Sequence, residues 1–322
     1  MKSDMDQLKV AVIGAGQFGR NHLRVIKESS AAQLAGVFDI DGSRAAAAAN
    51  EFGCAAFSSL EEAACEAQAA IVAVPTSAHA ETAAALLERG LHVLVEKPIA
   101  ADAASARALI QCASRAGRVL QVGHLERFNP AVAAARQAVK LPLFFEIHRL
   151  NVFSPRSLDV DVVLDLMIHD LDLVLWFTGL MPEEIRAAGI SVLSRKVDIA
   201  NVRLAFPGGC IANLTASRIS TERVRKLRMF QPYEYLSVDY TRQDAVRLSV
   251  NQAYQISGGM LPVEKGEPLR LQFEGFLHAI RTGEPPRVSG DDALRTLEVA
   301  LAIVDKIEEH AQVVSRTLQA AG

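Results

Sequence analysis

The sequence predicts a two-domain protein: a doubly wound parallel α/β sheet, then an α+β domain with a largely antiparallel open sheet. Three observations lead there. Short β-branched runs alternate with Ala-rich stretches of helical length as far as Gly123. Beyond it, strand-like runs follow one another with few helices between them. The 322 residues also exceed the roughly 250–300 at which single cores stop growing. The expected boundaries are 1–123 and 124–322.

In the first domain the strand candidates are 9–14, 33–39, 69–75, 92–97 and 119–123, and the helices are 17–30, 43–52, 77–89 and 102–116. Gly53, Gly90 and Gly117 stand just past helix ends, where a left-handed residue is wanted. Strand–helix alternation at this spacing gives a parallel sheet, and apolar runs such as IVAV and HVLV suit strands covered on both faces. In the second domain a helix at 130–139 leads to the strand LFFEIHRL and a long apolar helix at 160–177. Strands are expected at 185–193, 201–206, 210–217, 225–230, 235–240 and 245–250, a loop at 257–268, and closing helices at 268–281 and 291–311. Consecutive strands without helices between them imply antiparallel pairing.

A net charge of -3 argues against a nucleic-acid partner, which would call for a basic face. No run of about 18 apolar residues lacks a charge, so no membrane span is expected. The start, MKSDMDQLKVAVIGAG, has acids where a signal peptide wants bases. Cys54, Cys65, Cys112 and Cys210 form no C-x-x-C pair. They read as reduced thiols of a cytoplasmic protein, not as a disulfide or zinc framework.

Directly after the first strand stands Gly14-Ala15-Gly16-Gln17-Phe18-Gly19, opening a helix. The first glycine permits the tight turn, the second lets the backbone approach a pyrophosphate, and the third lets helix and strand pack. The diphosphate then sits on the positive end of the helix dipole. Asp39 closes the second strand, where it can accept both ribose hydroxyls of adenosine; its charge disfavours a 2′-phosphate. The implied domain is a Rossmann domain holding NAD, with NADP less favoured. Arg44 tempers this, because its guanidinium could hold a phosphate or stack on adenine. Asp41 reads as a helix cap.

Ligands of such sheets bind outside the carboxyl ends of the strands. There stand Pro75-Thr76 with His79, Glu96-Lys97-Pro98, and Gly123-His124. A lysine closing a buried strand is costly unless its ammonium has a role or a partner; a salt bridge to Glu96 or a snorkelling side chain is the competing explanation. The segment VDVVLDLMIHDLDLVLWF is apolar around most of its circumference and should be buried. At about 100° per residue Asp161, Asp165, His169 and Asp172 share one arc and Asp170 lies opposite. Asp165 and His169 are one turn apart, close enough to act on one substrate, and histidine suits proton transfer near neutral pH. A satisfied core histidine or a divalent-metal site would also fit, but no further His or Cys cluster supports a metal.

The glycine loop, Glu96-Lys97-Pro98 and Asp165-x-x-x-His169 together resemble the Gfo/Idh/MocA oxidoreductase family, and the likeness runs nearly the whole chain. It implies a tightly held nicotinamide cofactor, a sugar or polyol substrate, and a homodimer or homotetramer formed through the C-terminal sheet. It makes Lys97, Asp165 and His169 the catalytic residues. Where many members carry a glycine cluster, this chain has Asp159-Val160-Asp161-Val162, which departs from ordinary aldose or inositol specificity. GHLERFNPAV, VLDLMIHDLDLVLWF and NLTASRIS are more similar to the branch that oxidises UDP-N-acetylglucosamine at C3. A nucleotide diphosphate needs cations or backbone donors. The candidates are Arg127 foremost, with Asn129, Arg156, Arg218 and the nearby His124; alternatively the arginines pair with acids such as Glu126 or Glu222. Other functions open to the family are polyol or aldose oxidation, redox-neutral glycoside hydrolysis and non-catalytic NAD-responsive regulation.

Overall fold

A computed structural model describes residues 7–153 and 160–321 of the chain. It divides into two compact units, residues 1–125 with 267–294 and residues 126–266 with 295–322.

The first unit is built on β1 (Leu8–Ile13), β2 (Ala32–Phe38), β3 (Ala55–Ala56), β4 (Ala69–Val72), β5 (His92–Val95) and β6 (Leu120–Val122). Their order across the sheet is β3-β2-β1-β4-β5-β6, every pair is parallel, and the strand order reverses beside β1. The connecting helices are α1 (Gln17–Glu28), α2 (Gly42–Phe52), α3 (Leu60–Glu66), α4 (Thr76–Glu88) and α5 (Ala103–Ala116). Asp41, Ser59 and Asp102 cap α2, α3 and α5 with side-chain oxygens, each satisfying amides that the first helical turn leaves unpaired. All four residues of β4 are buried, which is why the sheet strands read as unbroken apolar runs.

One difference from expectation lies at the far end of the chain. Helix α8 (Pro268–Thr282) belongs to this unit, so the first unit is not closed at residue 123. Phe273, Phe276 and Leu277 of α8 share a core with Val10, Val12, Leu23, Ile26, Ile71 and Leu94. The short β3 and α3 were absent from the sequence expectation; a strand of two residues carries no alternation to detect.

The second unit holds α6 (Pro130–Ala138) and an eight-stranded sheet. Its strands are β7 (Phe144–Val152), β8 (Glu184–Ile190), β9 (Ile199–Ala205), β10 (Ile211–Ser220), β11 (Val224–Gln231), β12 (Glu234–Asp239), β13 (Asp244–Val250) and β14 (Ile256–Met260), in the order β14-β13-β12-β11-β7-β10-β9-β8. All pairs are antiparallel except β7 with β10. One face packs into a core: Phe145, Ile147, Leu214, Leu227 and Met229 join Leu171, Val174 and Phe177 of α7 (Ile168–Thr178) and Ile303 of α9 (Gly290–Ala321). Each such side chain contributes roughly 1.5–3 kcal/mol by leaving water.

Two expectations in this unit are corrected. The segment expected as a loop at 257–268 begins with β14, an edge strand paired to β13. Its Ser-Gly-Gly centre hides the strand pattern, and Gly258, at φ +114°, would place a Cβ 2.2 Å from the Arg247 carbonyl oxygen. The long apolar helix is not uniformly α: Val163–Met167 forms a π turn that continues into α7. No helix among the described residues is long and apolar enough to cross a membrane.

Candidate active site

In the first unit the sequence-predicted residues converge at the carboxyl ends of β1, β2, β4 and β5. Gly14 lies at φ +102°, and a Cβ there would stand 2.4 Å from the Ala73 carbonyl oxygen. A Cβ on Gly19 would come within 1.8 Å of the Gly14 carbonyl oxygen. These two glycines are therefore required by the turn itself. Gly16 is different: a Cβ there would meet nothing within 4 Å. The open space over Gly16, at the N-terminus of α1, fits the approach of a dinucleotide pyrophosphate. Gln17 and Phe18 follow it on the exposed lip, with Phe18 51% accessible.

Asp39 is buried and braces this loop. One carboxylate oxygen accepts from Ala15 N at 2.8 Å and the other from Asp41 N at 2.9 Å. Arg44 approaches Asp39 at 3.2 Å and Asp41 at 3.2 Å, so its charge is already turned on carboxylates. Asp41 accepts from Ser43 N and Arg44 N as the cap of α2; these bonds, the Ser43 hydroxyl first, hold its carboxyl below the usual range.

At the ends of β4 and β5 the contacts are mostly internal. Pro75 and Thr76 begin α4, with Pro75 exposed. His79 is buried, with Nδ1 2.7 Å from Pro98 O and Nε2 2.9 Å from Val74 O. It ties the two strand ends together through backbone carbonyls. Glu96 is buried beside His22 of α1, its Oε1 2.8 Å from His22 Nε2. Burial alone would push the Glu96 carboxyl up, but the His22 contact, with Lys97 and His79 nearby, holds it below the ordinary value. Gly123 leaves room for this carboxylate, since a Cβ there would stand 2.8 Å from Glu96 Oε2. Lys97 is half-buried and His124 buried at the strand ends. Sequence reasoning missed His22; its signal was a histidine on the apolar face of α1, three residues past the loop, where a buried ring needs a partner.

In the second unit Asp165 lies in the π turn and His169 in the first turn of α7, both partly accessible. Such π turns are frequent at functional sites because they re-aim side chains within a helix. Asp161 starts the turn by accepting from Val163 N at 2.9 Å. Burial pushes its carboxyl up, with Arg218 and Lys196 pulling the other way. Asp172, expected on the same arc, is fully buried. It receives Arg127 Nε at 2.8 Å and Nη2 at 2.7 Å, while the Arg127 guanidinium lies 5.3 Å from the Trp176 ring centre.

Arg127, favoured in sequence as a phosphate ligand, thus has one edge of its fork committed to a carboxylate, and the acid is Asp172 rather than Glu126 or Glu222. Asn129 caps α6 through Ala131 N and donates to Tyr240 O at 3.0 Å, so its amide is spent on the fold. Arg218 donates to Val160 O and lies 3.8 Å from Asp198, at the entrance to the π turn. Arg156 lies outside the described residues. Asp170 is held bidentately by Arg149, at 2.7 and 2.9 Å, and Arg149 also reaches Glu126 at 3.0 Å. Two buried ion pairs therefore flank His169, through the residue after it and the third residue after it.

A dinucleotide cradle on one unit and a partly accessible Asp–His pair on an otherwise buried helix of the other define a nicotinamide oxidoreductase. Residues 8–124 match the Gfo/Idh/MocA oxidoreductase family's NAD-binding Rossmann fold and residues 144–230 its C-terminal domain; the chain belongs to this family. The chain is 37% identical to a UDP-N-acetylglucosamine 3-dehydrogenase of Acidithiobacillus ferrooxidans, over 96% of this chain and 100% of that one. A solved structure of that protein superposes with a TM-score of 0.90, covering 95% of this chain and 99% of the other. An inositol 2-dehydrogenase of Rhizobium meliloti is 25% identical, over 95% of this chain and 98% of that one.

Proposed function

We propose that the chain oxidises the C3 hydroxyl of UDP-N-acetylglucosamine to a ketone, using NAD. The full-length 37% identity to the Acidithiobacillus enzyme carries this reading, and the intact Lys97, Asp165 and His169 are the residues it requires. NAD, held at the glycine loop, would supply the acceptor for the hydride leaving the carbinol carbon. His169 takes the hydroxyl proton, for which its partial accessibility suits it. Lys97 donates a hydrogen bond to the developing alkoxide, a charge that a preorganised donor stabilises. Asp165 orients the sugar. Gly14, Gly16, Gln17, Phe18 and Gly19 hold the diphosphate of the cofactor, and Asp39 takes the adenosine ribose and by its charge disfavours a 2′-phosphate; Arg44, paired with Asp39 and Asp41, stands beside the adenosine. Pro75, Thr76, His79 and Glu96 shape the edge beside them. His124 and Arg218 are the candidates for the sugar side, and Arg127 and Asn129 act mainly by fixing the catalytic helix and α6.

We infer also a cytoplasmic homodimer or homotetramer assembled through the open sheet of the second unit. There Phe144 and Phe230 pack edge to face at 6.0 Å and Phe230 is 40% accessible. NADH formation measured with UDP-N-acetylglucosamine, free N-acetylglucosamine, inositol and glucose tests the substrate. Rapid turnover of the nucleotide sugar alone is expected. Efficient oxidation of inositol or glucose, with no response to UDP-sugars, would return the chain to polyol oxidation.

A further inference from the structure

Arg225 is a second cation on the core face of the sheet, and sequence reasoning did not single it out. It stands on β11 directly opposite Arg149 of β7, so the two side chains leave the sheet on the same face. Leu227 and Met229, two and four residues on, are fully buried on that face. Arg149 is neutralised by Asp170 and Glu126. Among the described residues Arg225 forms no such pair with a carboxylate, although Glu126 and Asp170 lie near enough to act on it. Its Nε is buried without a hydrogen-bond partner. Burial first, then the charge of Arg149, push its guanidinium below the usual value, and the nearby carboxylates of Glu126 and Asp170 offset this only in part.

A half-buried guanidinium whose Nε is shut off from water and unpaired is costly. Close by, Asn151 lies two residues past Arg149 on β7, and its Oδ1 is also buried without a partner. A donor and an acceptor thus stand unsatisfied at the end of the strand whose Arg149 holds the residue next to His169. We propose that Arg225 binds the diphosphate of the nucleotide-sugar substrate, with Asn151 taking a hydroxyl of the same ligand. The planar fork of arginine suits phosphate oxygens. Arg127, whose Nε and Nη2 both go to Asp172, is not needed for the task. This assignment rests on the UDP-sugar reading above.

The test compares the wild type with Arg225→Met and Arg225→Lys, using UDP-N-acetylglucosamine as substrate and UDP alone as competitor. Arg225→Met should raise KM and the UDP inhibition constant together by about 10–100-fold, the span of a charged hydrogen bond, with kcat within about threefold. Arg225→Lys should recover part of the loss. Because no acid is orphaned, the thermal midpoint of Arg225→Met should equal or exceed that of the wild type; a structural arginine would show a clear fall. A wild type that binds UDP, with Arg225→Met binding it equally well, overturns the assignment alone. A wild type that neither binds UDP nor oxidises the UDP-sugar overturns the functional reading beneath it. A collapsed midpoint in both variants means that Arg225 supports the fold, and likewise ends the proposal.

Discussion

Replacing Arg149 with methionine isolates what holds the catalytic helix. Arg149 is 2% accessible and closes on Asp170 through two bonds, with a third to Glu126. Two buried carboxylates share its one charge. Removing it leaves both in a site that cannot solvate them, and breaking a buried pair from one side costs about 3–5 kcal/mol. At roughly 2–4 °C per kcal/mol for units of this size, the thermal midpoint should fall by about 6–20 °C near neutral pH. The pH dependence follows from Asp170. Burial already raises its carboxyl above the ordinary 3.8, with Arg149 working against the rise; without Arg149 the rise is larger. A raised acid costs stability as pH climbs through its folded value and costs none below the ordinary one. The deficit of Arg149→Met should therefore be greatest at neutral pH and shrink as the solution is acidified. Arg149→Met with Asp170→Asn should regain much of the midpoint by removing one orphaned charge. Differential scanning calorimetry across pH measures all three. A loss below about 1 kcal/mol, the scale of an exposed pair, or a deficit independent of pH, would refute the account.

Other expectations concern each unit separately. Gly16→Ala should fold normally yet bind NAD at least tenfold more weakly, because a Cβ there meets only the space assigned to the cofactor. Gly19→Ala should instead lower the thermal midpoint, since the clash with the Gly14 carbonyl is internal and overpacking costs about 1–3 kcal/mol; isothermal titration and calorimetry separate the two. Asp39→Ala should narrow the preference for NAD over NADP and weaken both, because it also releases Ala15 N; a wild type preferring NADP would contradict the charge argument. Asp198 accepts from Val192 N, Leu193 N and Ser194 N, which hold its carboxyl at about 2 despite burial. Asp198→Asn should thus destabilise at neutral pH, and the gap should close as pH falls from the ordinary value of 3.8 towards about 2.

Much of this architecture was legible because local patterns carry it. Unbroken apolar strands alternating with helices specify a parallel sheet, and a glycine loop between strand and helix specifies what the turn must hold. Lys97, Asp165 and His169 stood out as ionisable groups on apolar elements. Pairings between distant segments were not legible. Asp172 meets Arg127 across 45 positions and Asp170 meets Arg149 across 21; nothing in the spacing selects those partners over Glu126 or Glu222. The apolar stripe of α8 says that the helix is buried, not that it rejoins the first unit. The π turn escaped because a helix apolar on nearly all sides gives the same pattern at either pitch. Arg225 escaped because an arginine in a strand ordinarily reads as solvent-facing, and only its register opposite Arg149 turns it inward.

The most direct test uses UDP-N-acetylglucosamine carrying deuterium at C3, incubated with NAD and either the wild type or His169→Ala. With the wild type, deuterium should appear in the reduced nicotinamide by mass spectrometry and the 3-keto sugar should form in equal amount. His169→Ala should retain NAD affinity and turn over about 10²–10⁴-fold more slowly, the weight of a positioned proton acceptor. Reduced cofactor free of deuterium, or near-normal turnover by His169→Ala, would contradict hydride removal from C3 with His169 as the base.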